Sequence, residues 1–495
     1  MTVPYFTADE IRTAEAELFA RVAEGVPMRR ASWGLAAEVA AELRRRTGGI
    51  AGRRVGVLAG SGDNGGDALW AGAFLRRRGV AVEAVLLKPE RAHKAGLRAL
   101  LQAGGRVVAE LGPADLVLDG IVGISGKGSL RPDAARHVAA VTAPIVAVDL
   151  PSGVDPNTGS VDGPAVQAAL TVTFGGYKRV HALAAHQCGR IVYVPIGLEL
   201  PKSMVQSLTD TEVGGAWPVP AAEDDKYTQG VVGISAGSDV YPGAAVLCVG
   251  GAVAAKSGMV RYAGTAREQV LARYPEVIAT TAIEDAGRIQ AWVAGPGFGT
   301  GKKESKVLAA LLAQELPTVV DADGLTLVAH NPSLVRGRKA PTLLTPHAGE
   351  FERLTGAAPS PDRLAATQQL ASDWGVTVLL KGRATVIADP SGEVLVVEAG
   401  SSWAATAGSG DVLSGIVGAL LASGASPLIA AAMGAHVHAR AALIAAGAPG
   451  APASASTLMG AVRPAIGALR LAATPGVADA TKRAGYRSLM AGSAP

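Results

Sequence analysis

The sequence predicts an α/β chain of two domains, each a mainly parallel sheet with helices on both faces. Three observations carry this. Short apolar runs alternate with helical patterns at the spacing of βαβ units. Glycine-rich turns follow several of those runs. The same grammar stops near residue 215 and then restarts. At 495 residues the chain is long enough for two such domains, whose cores need no disulfide or metal staple.

Taken in order, Met28–Arg46 places Leu35, Val39 and Leu43 at i, i+4 and i+8, the stripe of an amphipathic helix. Arg54–Leu58 reads as a buried strand, AGSGDNGGD as the turn that ends it, and Ala68–Arg78 as the helix that follows. Val80–Leu87, Leu116–Leu118 and Ile145–Val148 are the next strands. Ser207–Asp225 (SLTDTEVGGAWPVPAAEDD) is rich in Gly, Pro, Ala and acids and has no periodicity, so a boundary is expected there. Beyond it, Gly230–Ser235, Val277–Ala279, Ala291–Ala294, Thr318–Val320, Thr342–Leu344 and Val376–Leu380 are strands. The expected organisation is a first domain over 1–212, a linker over 213–222, a second domain over 223–475 and a mobile tail over 476–495.

Composition narrows the function. Lys and Arg number 46 against 42 Asp and Glu, a net charge of +4, which excludes electrostatically driven nucleic-acid binding as the default. Hydrophobic residues at 49% against 18% charged exclude wholesale disorder. Cys188 and Cys248 form neither a disulfide framework nor a zinc spacing and suit a reducing compartment. Acidic residues stand where a secretory leader would need an apolar core, so a cytoplasmic location is expected. The uncharged stretch Val412–His438 is alanine-rich and broken by Gly and Pro, and reads as two buried helices rather than a membrane span. A closed homo-oligomer is the default assembly.

Gly60-Ser-Gly-Asp63-Asn64-Gly65-Gly66-Asp67 is the sharpest signal of the first block. Its glycines let backbone N–H groups approach an anion, the following helix start adds positive potential, and the side-chain oxygens suit ribose hydroxyls, an amide or a cation. Asp119-Gly-Ile-Val-Gly123-Ile-Ser125-Gly-Lys127-Gly128 and Asp149-Leu-Pro-Ser152-Gly-Val-Asp155 also follow strands. Ligands in open α/β sheets sit outside the carboxyl ends of strands, so the three segments converge on one edge. Taken singly, Asp119 or Asp149 could equally be a helix N-cap.

These motifs resemble those of the NAD(P)H-hydrate epimerases, over roughly Tyr5 to Gly197. The resemblance implies a Rossmann-like three-layer sandwich. It implies hydrated-nucleotide contacts at Asp63, Asn64, Gly65, Gly66 and Asp67 and at Gly123, Ile124, Ser125, Gly126, Lys127, Gly128 and Ser129. It also implies K+ ligands at Asn64, Asp119 and Ser152, and a substrate-contacting acid at Asp149. The implied reaction inverts C6 of the hydrated nicotinamide ring, with Asp149 the expected catalytic residue and Lys178 (in FGGYKR) a weaker candidate. Asp63 and Ala68 depart from the family's Asn-Asn-Gly-Gly-Asp-Gly.

In the second block, Gly237-Ser-Asp-Val-Tyr-Pro-Gly-Ala244, Gly295-Pro-Gly297-Phe-Gly299, Thr345-Pro-His347-Ala-Gly-Glu350-Phe and Lys381-Gly382-Arg383-Ala384-Thr385 all follow strands. Thr406-Ala-Gly408-Ser409-Gly410-Asp411 opens an apolar helix. Small residues before a helix make an anion hole, and an aspartate at its end can take the proton of an attacking hydroxyl. A helix N-cap is the alternative for Asp411. His436 and His438 read as packing or local hydrogen bonding. Over about Asp224 to Leu471 this half resembles the ribokinase-like superfamily, and within it the ADP-dependent NAD(P)H-hydrate dehydratases.

That resemblance implies substrate contacts at Ala244, Gly297 and His347, and nucleotide contacts at Lys381, Gly382, Arg383, Ala384, Thr385 and Gly410. Asp411 is implied as catalytic base, and the Gly408, Ser409 and Gly410 amides as the phosphate hole. ADP is the implied co-substrate, with Mg2+ on its oxygens, and the small-molecule substrates are NADHX and NADPHX. The same residues leave open an ATP-dependent ribokinase-like small-molecule kinase fused to a non-catalytic nucleotide-binding module.

Overall fold

The computed structural model describes residues 2–256 and 258–474. The chain divides between Val205 and Gln206 into two compact units. In the N-terminal unit seven strands form one parallel sheet, in the order Arg106–Val107, Ala81–Leu86, Arg54–Ala59, Leu116–Gly120, Ile145–Val148, Leu170–Phe174 and Arg190–Val194. Alternate residues of its strands face two separate cores. Val57 and Leu118 pack with Leu35, Val39 and Leu69 of the helices Val26–Thr47 and Asp63–Arg76. Leu58 and Val117 pack on the other side with Ala134 of the helix Pro132–Ala139. The sheet is therefore the middle of three layers. Chain order reverses between Arg54–Ala59 and Leu116–Gly120, which opens a crevice at the carboxyl ends of those two strands.

The C-terminal unit repeats the logic. Its strands run Ile278–Thr280, Met259–Ala263, Val231–Ser235, Ala291–Ala294, Thr318–Val320, Thr342–Leu344 and Thr377–Leu380, all parallel, and continue into the antiparallel pair Ala384–Ala388 and Val394–Glu398. Leu170–Phe174, Arg190–Val194 and Met259–Ala263 escape an apolar-run reading. LTVTF and MVRYA carry a polar residue inside the strand, and RIVYV begins with an exposed arginine.

One expectation changes. Residues 213–222 do not begin as a free connector. The helix Asp210–Ala216, closed by a Thr209–Glu212 capping box, buries Val213 in the C-terminal core together with Trp217. A Cβ at Gly214 would lie 2.0 Å from the Leu469 carbonyl, so this helix sits directly on Ala455–Ala473. The uncharged stretch is indeed two helices, Ser409–Ala422 and Pro427–Ala446. Among the described residues the second alone is long and apolar enough to cross a membrane, and 67% of that window is buried inside the fold. The tail expected over 476–495 lies outside the described residues.

The helix that carries Asp411 is held by backbone-to-backbone contact. A Cβ at Gly415 would lie 2.0 Å from the Cys248 carbonyl, and one at Gly251 would lie 2.3 Å from the Val412 carbonyl. Pro242–Ala255 and Ser409–Ala422 can therefore approach only where both carry glycine. An ordinary helical Gly→Ala change gains about 1 kcal/mol of propensity. Gly415→Ala should instead destabilise the C-terminal unit by about 2 kcal/mol, because the helices must part. Urea unfolding checks this, and an unchanged midpoint would contradict the close-packing account.

Candidate functional site

The N-terminal crevice is built by glycine. The helix begins at Asp63, so Asp63, Asn64, Gly65 and Gly66 are its first turn rather than a turn ahead of it. A Cβ at Gly60 would lie 1.9 Å from the Ile121 carbonyl, and one at Gly65 would lie 2.3 Å from that of Gly60. Ala68, where the resembling family has glycine, is accommodated because its neighbour across the sheet edge is Gly120, whose Cβ would lie 2.6 Å from that of Ala68. Asn64 Nδ2 donates to the Val148 carbonyl at 2.6 Å, and its Oδ1 lies where a Gly123 side chain would have to be. One amide thus ties the first glycine turn to the loop after Leu116–Gly120 and to the end of Ile145–Val148.

Beneath this turn Asp119 and Ser152 are fully buried and interlocked. Ser152 donates from Oγ to Asp119 Oδ1 at 2.7 Å and from its backbone N–H to Oδ2 at 2.8 Å. Ile121 N–H donates to Oδ1 at 3.2 Å, and Val122 N–H to Ser152 Oγ at 3.0 Å. Burial pushes the Asp119 carboxyl up to about 6 against these hydrogen bonds. Neither residue is an N-cap. With Asn64 Oδ1 and the Val122 carbonyl they form an all-oxygen set, the donor chemistry a hard monovalent cation takes.

Asp149 sits at the end of its strand with φ +70°, a left-handed conformation that costs a non-glycine residue roughly 1–2 kcal/mol. Its Oδ1 accepts from Thr173 Oγ1 at 3.0 Å, from Phe174 N–H at 3.1 Å and from Lys178 Nζ. Lys178, almost fully buried, also donates to Thr173 Oγ1 and the Phe174 carbonyl. It therefore pins Asp149 rather than standing free. His181 Nδ1 accepts from Lys178 N–H at 2.9 Å, so Nε2 carries the proton and donates to the Asp149 carbonyl at 2.9 Å. Burial pushes this imidazole down to about 4 and keeps it neutral.

These elements line a cleft of about 920 Å³ that includes Asp63, Asn64, Asp67, Asp149 and the whole loop 123–129. Gly65 and Gly66 are buried behind its wall. Asp67 accepts from Ser32 Oγ at 3.0 Å, and burial raises its carboxyl well above the usual range. Glu15, from the helix Ala8–Arg21, also lines the cleft; it belongs to no glycine turn or strand end, so no motif marks it.

In the C-terminal unit Gly408, at φ +82°, caps the helix Ser409–Ala422, which leaves Asp411 in the first turn and excludes it as the N-cap. His438 Nε2 donates to the Ser409 carbonyl at 2.9 Å and Ser409 Oγ to that of Ala404 at 2.6 Å, fixing the turn. His436 pairs with Asp210 at 2.7 Å. Asp411 faces a charged cluster. Lys381 Nζ donates to Asp321 Oδ1 at 2.7 Å and lies 3.5 Å from Glu350 Oε2. Ser414 Oγ donates to Asp321 Oδ2 at 2.7 Å. A Cβ on Gly410 would be 3.7 Å from Lys381 Nζ, so this ammonium stands beside the anion-hole turn. Burial first, then the Asp321 charge, pushes Asp411 up to about 7, with Lys381 opposing.

The remaining expected contacts divide. Gly297, at φ +63°, and Ala244 are packed together, since a Cβ on Gly297 would meet that of Ala244 at 2.6 Å. His347 caps the helix Ala348–Thr355, its Nδ1 accepting from Gly349 and Glu350 N–H groups, while its ring is half exposed. Among residues 381–385, Lys381 alone is tied to the Asp321 and Glu350 carboxylates. Arg383 pairs with Glu398 at 3.4 Å across the antiparallel strands, Thr385 Oγ1 donates to the Gly382 carbonyl, and Ala384 opens a strand. Asp321 carries no motif of its own, yet it ends the strand Thr318–Val320 as Asp119 and Asp149 end theirs. Gly299 N–H donates to Asp323 Oδ2 at 2.8 Å, joining Asp323 to the Gly295–Gly299 turn.

A carboxylate crevice at a sheet switch point and, in the same chain, a glycine-capped helix start with a half-buried aspartate and a lysine define a two-domain α/β enzyme. The profile of the family described as NAD(P)H-hydrate dehydratase matches residues 232–463, and that of the YjeF-related protein N-terminus matches residues 28–180. The chain is 61% identical over 424 residues to the bifunctional NAD(P)H-hydrate repair enzyme Nnr of Mycobacterium tuberculosis, covering 85% of this chain and 89% of that one. It is 57% identical over 472 residues to the protein of the same name from Mycobacterium leprae, covering 94% and 99%. The chain belongs to the family of bifunctional NAD(P)H-hydrate repair enzymes. A solved ADP/ATP-dependent NAD(P)H-hydrate dehydratase from Bacillus subtilis is 25% identical with a TM-score of 0.48, over 53% of this chain and 98% of that one.

The raised Asp411 carboxyl has a stability consequence. The unfolded chain ionises it near its ordinary 3.8, whereas the native state resists ionisation until about 7. The stability this group lends is full below pH 3.8 and is lost as pH rises through 7. Asp411→Asn removes the penalised charge. It should raise the melting temperature of the C-terminal unit at pH 8.5 relative to wild type, with a smaller difference at pH 5. Equal differences at the two pH values would contradict the burial described.

Proposed function

We propose that the chain repairs hydrated NADH and NADPH. The N-terminal unit interconverts the R and S hydrates, and the C-terminal unit uses ADP to dehydrate the S hydrate, leaving NAD(P)H, AMP and phosphate. Family membership supports both halves, and the single observation that carries the second is Asp411: a carboxyl pushed up to about 7, beside a lysine and a helix start that suits a phosphoryl group.

In the C-terminal unit Asp411 takes the proton of the ring C6 hydroxyl while that oxygen attacks the outer phosphoryl group of ADP. The Gly408–Gly410 amides and Lys381 face the charge that builds on the transferring group. The C6–O bond then breaks with its electron pair leaving on phosphate, and loss of a C5 proton restores the ring. The step exchanges hydroxide, a poor leaving group, for phosphate, a good one. Mg2+ on the nucleotide's phosphate oxygens supplies charge neutralisation when bound.

In the N-terminal unit loop 123–129 and Asp63–Asp67 hold the nucleotide, and Asp149 handles a proton at the ring. Asn64, Asp119 and Ser152 would hold K+, which supplies a fixed positive charge near the substrate's anionic groups. A reducing cytoplasm and a homo-oligomeric assembly belong to the same proposal; both cysteines are buried free thiols.

Mixed epimers with ADP test the scheme through recovery of reduced-nicotinamide absorbance. Asp149→Ala should leave the S fraction consumed at the normal rate and slow the R fraction to its spontaneous rate. Asp411→Ala should lower recovery from both by about 1,000-fold. Wild-type recovery with neither ADP nor ATP would sink the dehydratase reading and favour the kinase-type use of the second site. The rate with ADP should rise with pH through about 7, as Asp411 becomes ionised.

A further inference from the structure

We propose that Glu15 is a second catalytic residue of the N-terminal site, the proton donor to the departing ring hydroxyl, paired with Asp149 as acceptor. The inference rests on the epimerase reading above. Glu15 lies ahead of residues 28–180, the stretch matched by the family profile, and comes from an element separate from the glycine turns.

The helix Ala8–Arg21 is docked at two points, one of them on the loop that lines the site. Its first N–H, that of Ala8, donates to Asn157 Oδ1 at 2.8 Å, and Arg12 Nη2 donates to the Ile124 carbonyl of the substrate loop at 3.0 Å. Glu15 follows Arg12 by three residues and so shares its face. Both Glu15 and Phe19, four residues on, line the cleft with Asp149. The Glu15 carboxyl takes no hydrogen bond or ion pair from any described residue.

The charged groups around Glu15 are Arg12 on its own helix, Asp63 and Asp67 on Asp63–Arg76, Asp149 at its strand end and Lys178 on the following segment. Burial and then the Asp149 charge push Glu15 up to about 7, with Lys178 and Arg12 acting against them. Asp149, by contrast, is locked to Lys178 and two further donors as a fixed acceptor. A carboxyl without a partner among the described residues, facing across one cleft a carboxyl locked by three donors, is an arrangement suited to an acid–base pair.

The step balances. Glu15 gives its proton to the C6 hydroxyl, the C6–O bond breaks with its electron pair leaving as water, and the N1 lone pair forms a C6–N1 double bond. Water then adds to C6 on the other face, that double bond returns its pair to N1, and Asp149 takes the proton. The reverse turnover, or exchange with solvent, resets the pair.

Glu15→Gln and Glu15→Asp in the full chain, assayed on mixed epimers with ADP, test this. Glu15→Gln should leave the S fraction at the wild-type rate and lower kcat for the R fraction by about 100-fold with KM little changed. Glu15→Asp should recover part of that loss. The fall in wild-type R-fraction rate above about pH 7, where Glu15 loses its proton, should disappear in Glu15→Gln. An R-fraction kcat within about 3-fold of wild type in Glu15→Gln, or an unchanged pH profile, overturns the role of Glu15. A wild-type chain that does not accelerate R conversion over the spontaneous rate overturns the epimerase reading itself.

Discussion

Two backbones can come into contact only where no side chain stands between them, and both sites of this chain depend on that constraint. In the N-terminal unit Gly60 and Gly65 let the helix start at Asp63 nearly touch the strand ends, and Gly120 and Gly123 clear room for Ala68 and Asn64. In the C-terminal unit Gly251 and Gly415 let the Asp411 helix lie directly on its neighbour. The unpaired N–H groups of a helix start are thereby held at a crevice by backbone packing, which is stiffer than any loop.

Burial then converts ordinary acids into titrating ones. Asp411 and Glu15 are both moved toward neutrality by loss of water, with neighbouring carboxylates adding to the effect. The two lysines nearby do different work. Lys178 is spent on Asp149, with its remaining donors on Thr173 and Phe174, and so fixes one acid in place. Lys381 is shared between Asp321 and Glu350 and stands within reach of the Gly410 backbone, where a phosphoryl group would meet it.

Much of this was legible in the residues. Alternation of apolar runs and helical stripes announced two parallel sheets, and Asp119 and Asp149 at strand ends and Asp411 at a helix start stood out because glycine and small residues surround them. Asp321 obeys the same strand-end rule but lacks those flanking glycine signals. Glu15 gave no signal at all, because an acid on an amphipathic helix looks like any solvated one until the helix is docked. Val213 and Trp217 were hidden similarly, since a segment rich in Gly and Pro reads as a connector until its few apolar residues find a core.

By itself the sequence determined the sheet class, the glycine turns and the identity of most groups in the two sites. These follow from short-range rules: side-chain periodicity, the conformational freedom of glycine, and the chemistry of a helix start. Tertiary structure alone decided which acids burial moves toward neutrality and what each lysine and histidine holds. Those properties come from lost solvent and from partners as far apart in sequence as Asp321 and Lys381, and no local pattern encodes either.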